Sequence, residues 1–353
     1  VARSCFCTRN KRLTVSKAIT PGNTPRDGKF RPIVALAPLA GITDLPFRNV
    51  VSRFGADFVV SEMIASQDMV NARPGTRDKA LMGDGQGTPT AVQLAGREAY
   101  WMAEAARIAE GHGAELIDIN MGCPAKKVTK GYSGSALMRD LDHALTLIDA
   151  VVGATKVPVT LKMRLGWDES CLNAADLAKR AEAAGVQRLV VHGRTRCQFY
   201  KGCADWGAIG AVKNAVAIPV LANGDIVDLA SAKAALAASG ADGVMIGRGA
   251  RGRPWLLRQI KAGLSGGINL DVPSPAELIG IITEHYEAML MLYGNDLGLR
   301  VARKQMGWYL DALGVQTGSD RRLVLTEVNS SAALGAMVRA IEGCAPLDPG
   351  KVA

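Results

Sequence analysis

Aromatic residues make up only 5% of this 353-residue chain, and histidine occurs four times. There is no Cys-x-x-Cys and no paired His spacing, so no metal site of the zinc or iron–sulfur kind is expected. The seven cysteines (Cys5, Cys7, Cys123, Cys171, Cys197, Cys203, Cys344) are odd in number and scattered. That argues against a disulfide framework and for a reducing cytoplasm. No apolar run reaches the ~18 residues of a membrane helix, so no membrane association is expected. Acids are scarce at the start of the chain. Residues 1–31 hold Asp27 alone against Arg3, Arg9, Lys11, Arg12, Lys17, Arg26, Lys29 and Arg31. The formal charge is +9, of which +7 lies in this stretch and +2 in residues 32–353. With no apolar stretch of roughly 7–15 residues, the stretch does not read as a secretory signal. It is expected to be a basic, disordered tail.

What is present is a core-forming sequence, 48% hydrophobic and 21% charged. From residue 33 to about 262, short β-branched runs alternate with amphipathic stretches. Strands are expected at Ile33–Ala37, Phe58–Val60, Thr90–Leu94, Leu116–Asn120, Val159–Met163, Arg188–His192, Val220–Asn223 and Gly243–Ile246. Helices are expected at Trp101–Glu110, Leu141–Val152, Ala174–Ala184 and Leu229–Ala238, with Gly111, Gly185 and Gly240 marking ends. Eight such units make a (β/α)8 barrel, an α/β fold. A doubly wound sheet would need Gly-x-Gly-x-x-Gly after the first strand, where Pro38-Leu39-Ala40-Gly41 stands instead. The barrel is expected over 32–264, a linker over 265–275, and a small all-α domain over 276–345. That domain's helices are Ala276–Tyr293, Leu299–Leu313 and Val324–Glu342, with a short tail over 346–353.

Barrel chemistry belongs to the C-terminal ends of the strands. Polar residues gather there: Glu62, Gln93, Asn120, Lys162, Arg164, His192, Asn223 and Asp225. The last two loops, Asn223-Gly224-Asp225 and Gly247-Arg248-Gly249, suit a phosphate, since glycine lets backbone N–H groups approach it. Tight turns alone would also use these glycines. Lys162 lies within Val159-Thr160-Leu161-Lys162-Met163, an apolar strand where a lysine needs an anion. The anionic edge of a reduced flavin would serve, with Gln93 on the ring's polar edge. An ion pair with Glu62 or Asp118 is the alternative. Cys123 follows a strand in a Gly-Cys-Pro turn beside Lys126, Lys127 and Lys130, a setting for a reactive thiol. The alternative is an inert loop cysteine.

Several stretches carry a family resemblance: Ala37–Asp44, Ile117–Pro124 with its Asn-Met-Gly-Cys-Pro, Val191–Arg196 with His-Gly-Arg-Thr-Arg, Ala222–Ile226 and Met245–Ala250. The chain resembles the bacterial tRNA-dihydrouridine synthases, and most closely their B-type branch, from about residue 32 to about 313. The resemblance implies FMN at the barrel mouth. It puts Pro38, Leu39 and Ala40 against the ring, and Gln93 and Lys162 at its polar edge. His192 would lie near it, with Asn223, Gly224, Asp225, Gly247 and Arg248 at the phosphate end. It further implies NADPH as reductant, hydride delivery to C6 of a tRNA uridine, and Cys123 as the acid that protonates C5. Asn120, Arg194 and Arg196 would contact the substrate. The helical domain would bind tRNA, and the protein is expected to act as a cytoplasmic monomer. Gln305 stands where the family usually has His, and Pro273–Ala353 carries seven Lys/Arg against nine Asp/Glu, so that domain is not basic overall. The competing readings are a flavin barrel acting on a free dihydropyrimidine and a non-catalytic RNA-binding protein.

Overall fold

The computed structural model describes residues 31–83, 87–267 and 272–344. Nearly all of the basic tail, the middle of the expected linker and residues 345–353 therefore lie outside the described residues. Among the described residues nine strands form: β1 (Ile33–Leu36), β2 (Phe58–Val60), β3 (Ile64–Ala65), β4 (Thr90–Ala95), β5 (Leu116–Met121), β6 (Val159–Arg164), β7 (Arg188–His192), β8 (Val220–Asn223) and β9 (Gly243–Ile246). All pairings are parallel. β1 joins both β2 and β9, β2 joins β4, and β4 to β9 follow in order. Eight strands thus close into a barrel, while β3 is a two-residue spur on β4. All eight expected strands are present, and none of their ends moves by more than one residue.

The period of two decides which side chains face the lumen. Ile33, Ala35, Phe58, Val60, Ala91, Leu116, Val190, Leu221 and Met245 form one apolar cluster inside the barrel. Their neighbours Val34, Leu36, Val59, Val92 and Ile117 pack outward against the helices. Carrying the inward parity up each strand aims Gln93, Asp118, Asn120, Thr160, Lys162, His192 and Asn223 into the barrel above that apolar floor. A slip of one residue would turn every one of them outward.

The helices between strands follow the sequence pattern, with one shift. Gly111 is the last residue of its helix (Ala99–Gly111), and the left-handed turn comes two residues later, at Gly113, φ 91°. After the barrel come Pro275–Tyr293, Asn295–Ala312, Ser319–Thr326 and Ser330–Glu342. Ser274 and Glu277 form a capping box that starts the first of these. The expected single helix over Val324–Glu342 is two. Glu327 accepts from the Val328 and Asn329 backbone N–H groups, and Asn329 caps the next helix by accepting from Ala332 N. These local bonds compete with helix continuation.

The C-terminal helices share a second apolar cluster that reaches the barrel through Val50, Phe54 and Trp255. Polar contacts pin the same seam. Tyr293 donates to Asp44 at 3.0 Å, and Gln305 donates to Ile42 O at 3.2 Å. Arg53 pairs with Glu284. Gly252 lets the chains touch, since a Cβ there would lie 2.1 Å from Trp308 O.

Candidate active site

A cavity of about 710 Å³ opens at the C-terminal end of the barrel. That is within the ~300–1,000 Å³ of small-molecule sites. Its lining includes Pro38, Leu39, Ala40, Gln93, Asn120, Cys123, Lys162, His192, Asn223, Gly224, Asp225, Gly247 and Arg248. The sequence-derived cofactor residues and the cysteine therefore meet in one space. Met63, Arg164, Phe199, Tyr200, Arg251 and Arg253 also line it.

One wall is a hydrogen-bond chain of fixed polarity. Asn120 Oδ1 accepts from the Gly122 and Cys123 backbone N–H groups at 3.2 and 2.9 Å. Its amide nitrogen must then donate, and it does so to Gln93 Oε1 at 2.7 Å. Gln93 Nε2 in turn donates to Asp118 at 2.7 Å, and Thr160 donates to the other carboxylate oxygen at 2.6 Å. The backbone at the cysteine thus dictates which way both amides face. Burial raises the Asp118 carboxyl above its usual range, against the pull of Thr160, Gln93 and Lys162.

Lys162 donates to Asn223 Oδ1 at 3.0 Å, and Asn223 is held by its own donation to Met245 O at 2.7 Å. The lysine is therefore tied to an amide, not to Glu62 or Asp118. Burial first, then repulsion from Arg164, lowers it to about 8. An ammonium with one amide acceptor retains donors for a bound acceptor, which fits the electron-rich edge of a planar ring.

His192 is nine-tenths buried, and burial together with Lys162, Arg164, Arg194 and Arg248 drives its pKa to about 2. It is neutral at any working pH. Arg194 Nη1 lies 3.2 Å from its Nε2 and cannot accept a hydrogen bond, so Nε2 accepts and Nδ1 carries the proton.

Arg194 and Arg196 stand outside the cavity lining. Arg194 is buried and fastens the loop after β7, donating to the Lys201 and Gly202 carbonyls and to both Asp225 oxygens. Burial alone would raise Asp225, but these bonds and the Ala204 N–H hold it below the ordinary carboxylate range. Arg196 lies 4.7 Å from the Trp167 ring. Arg164 does line the cavity and ties three loops together by donating to the Gly122, Thr195 and Phe199 carbonyls. Phe199 and Tyr200 were not singled out from the sequence. The available signal was two consecutive aromatics in a basic βα loop of an aromatic-poor chain.

Four non-glycine residues take positive φ among the described residues: Ala72, Tyr132, Phe199 and Asp225. Such backbone costs about 1–3 kcal/mol and gathers at functional sites. Phe199 and Asp225 line this cavity. Gly224, at φ 111°, allows the close approach of its neighbour, since a Cβ would meet His192 at 2.8 Å. Among the described residues no cluster of His, Cys, Asp and Glu could hold a metal, and no helix is long and apolar enough to cross a membrane.

The sequence matches the profile of the family described as "Dihydrouridine synthase (Dus)" over residues 35–342. A "Probable tRNA-dihydrouridine synthase" of Rhodobacter capsulatus is 64% identical over 284 residues, covering 80% of this chain and 88% of that one. One of the same description from Rhizobium leguminosarum is 52% identical over 316 residues, covering 86% and 96%. A "tRNA-dihydrouridine synthase B" of Pseudomonas putida is 49% identical over 276 residues, covering 78% and 81%. With a profile spanning the barrel and the helices after it, the chain belongs to the dihydrouridine synthase family of enzymes.

Proposed function

We propose that this protein is an FMN-dependent tRNA-dihydrouridine synthase of the B type that uses NADPH as reductant and acts as a cytoplasmic monomer. The observation that carries the reading is one cavity in which Cys123 shares space with Lys162, Asn223 and Arg248. The residues fit FMN. Ala37, Pro38, Leu39 and Met63 offer apolar surface for a ring, Lys162 and Gln93 a polar edge, and Arg248 with Gly224 and Gly247 an anion-binding end. When bound and reduced, FMN supplies a hydride to C6 of the uracil ring.

This chain's residues do the rest. Hydride addition at C6 moves negative charge toward C5 and O4 of the base. Cys123, on the loop after β5, holds the proton that C5 takes up. Asn120, its orientation set by the Cys123 backbone, presents its second amide hydrogen to a carbonyl of the base. His192, neutral, donates through Nδ1. A base paired or stacked in folded tRNA is out of reach, so the target turns out into the cavity. The barrel over 32–264 carries the chemistry, and the helices over 276–345 grip tRNA beside it. On that side Arg251 and Lys304 stand 5.0 and 5.1 Å from the Trp308 ring.

The test is turnover. Protein loaded with FMN and reduced by NADPH should add two mass units to a uridine of unmodified tRNA and leave free uracil untouched. Cys123→Ala should keep the bound flavin and lose ~10²–10⁴-fold in tRNA reduction. Unchanged turnover in that variant would remove the cysteine from the proton-donor role.

A further inference from the structure

Outside the cavity, rings and guanidinium groups alternate across three βα loops at the barrel mouth. Arg139 stands 5.9 Å from the Tyr132 ring and 4.3 Å from the Trp167 ring. Arg196 stands 4.7 Å from the same indole. One indole therefore holds two cations in place. Among the described residues neither cation has a carboxylate partner, and Arg196 Nε is buried without a hydrogen-bond partner. The neighbouring acid, Asp168, is turned to Ser170, accepting from its backbone and hydroxyl at 3.0 and 2.6 Å.

Tyr132, a residue 63% exposed, ends the run with its φ at 53°, in the left-handed region. A non-glycine residue held there, with an aromatic ring in water, needs a compensating use. Lys126, Lys127 and Lys130 are exposed nearby and extend the positive surface. Uncompensated cations with an exposed ring are the components of a surface that takes a single nucleic-acid strand.

The run is bound tightly to the cavity. Arg139 ends the 3-10 turn Gly134–Arg139, whose Ser135 donates to Cys123 O from its backbone and its hydroxyl, at 3.1 and 2.8 Å. The loop holding Arg196 is fixed by Arg164 of the cavity wall, through Thr195 O and Phe199 O.

The geometry points to a backbone clamp for the RNA strand. Arg139 and Arg196 take phosphodiester oxygens next to the nucleotide in the cavity, and Tyr132 takes the face of a base beyond them. The assignment rests on the tRNA reading of the cavity.

The test uses the flavin-loaded enzyme with Arg139→Ala/Arg196→Ala, and unmodified tRNA binding is measured across a salt series. Each phosphate contact contributes about 0.7–0.9 to the slope of log affinity against log salt. The double variant should lose about 1.4–1.8 from that slope and roughly 10–100-fold in affinity at low salt, with a matching rise in KM for tRNA. Arg139→Lys/Arg196→Lys should keep the slope and lose part of the affinity, because the charge stays and the planar fork is gone. Arg139→Ala alone should show about half the slope change. An unchanged slope and affinity in the double variant would overturn the clamp. So would a raised KM for NADPH in tRNA-free flavin reduction with tRNA binding intact, which would give these cations to the reductant. The parent's turnover separates the two readings. If the parent reduces tRNA and the double change leaves binding untouched, the clamp alone fails. If the parent reduces no uridine, the assignment of the cavity fails.

Discussion

In the cavity wall, Gln93, Asp118, Asn120, Lys162 and Asn223 all find partners at 2.7–3.0 Å. In the seam under the C-terminal helices, buried polar groups are less completely satisfied. Arg48 Nε, His285 Nε2 and Gln305 Oε1 are buried with no hydrogen-bond partner among the described residues. Burial there raises Asp44 to about 6 and lowers His285 to about 3. A buried polar atom left unpaired costs about 1–3 kcal/mol. The wall is therefore specified atom by atom, while the seam holds by apolar packing and tolerates polar groups at a loss. Chemistry needs the first arrangement. Joining two layers needs only the second.

The largest expected effect breaks the wall. Asp118→Leu leaves Gln93 Nε2 and Thr160 without their acceptor and removes the negative charge facing Lys162. It should cost roughly 3–5 kcal/mol in urea unfolding and at least ~100-fold in uridine reduction. Asp118→Asn can still accept from Gln93 and can donate to Thr160, so it should cost about 1 kcal/mol. Equal losses in the two variants would show that the polarity of the chain does not depend on this residue.

A smaller effect separates the seam from the wall. The Asp44 carboxyl sits at about 6 in the folded protein against an ordinary 3.8. The folded state keeps a proton that the unfolded chain gives up between those values, so stability falls as pH rises through that window. Asp44→Asn preserves an acceptor for Phe47 N, the helix cap. It should exceed the parent by on the order of 1–3 kcal/mol at pH 8 and match it near pH 3.5. A variant no more stable than the parent at pH 8 would place Asp44 among well-solvated groups.

The smallest effect concerns Gln305. Gln305→Met removes an unpaired oxygen along with the bond to Ile42 O, and the two should nearly cancel, within ~1 kcal/mol. A large loss in midpoint would mean that this bond holds the seam.

Much of this was legible in the sequence because it is local. Inward parity on each strand carries Gln93, Asn120, Lys162 and Asn223 to the mouth once the strand starts are known. The β-branched runs mark those starts. What escaped depends on contacts between distant segments. Arg194 reads as a substrate ligand beside His192, yet its guanidinium is taken up by Asp225, 31 residues away. Lys162 had carboxylates on offer and found Asn223, 61 residues on. The helix break at Glu327–Asn329 was missed because side chains claim the backbone there, and apolar spacing does not record that. Trp167 as the holder of two arginines joins three loops that no spacing relates.

The pairing of β1 with β9 joins Ile33 to Gly243, and the loop after β1 is then claimed by Tyr293 and Gln305. In time, this makes the first of the barrel's described strands the last to be settled. As the chain leaves the ribosome, β1 waits through some 210 residues for its second neighbour. Asp44 and the Ile42 carbonyl wait longer still, for helices made after the barrel is complete. The Pro38–Ala40 wall of the cavity therefore takes its final shape only after those helices have formed.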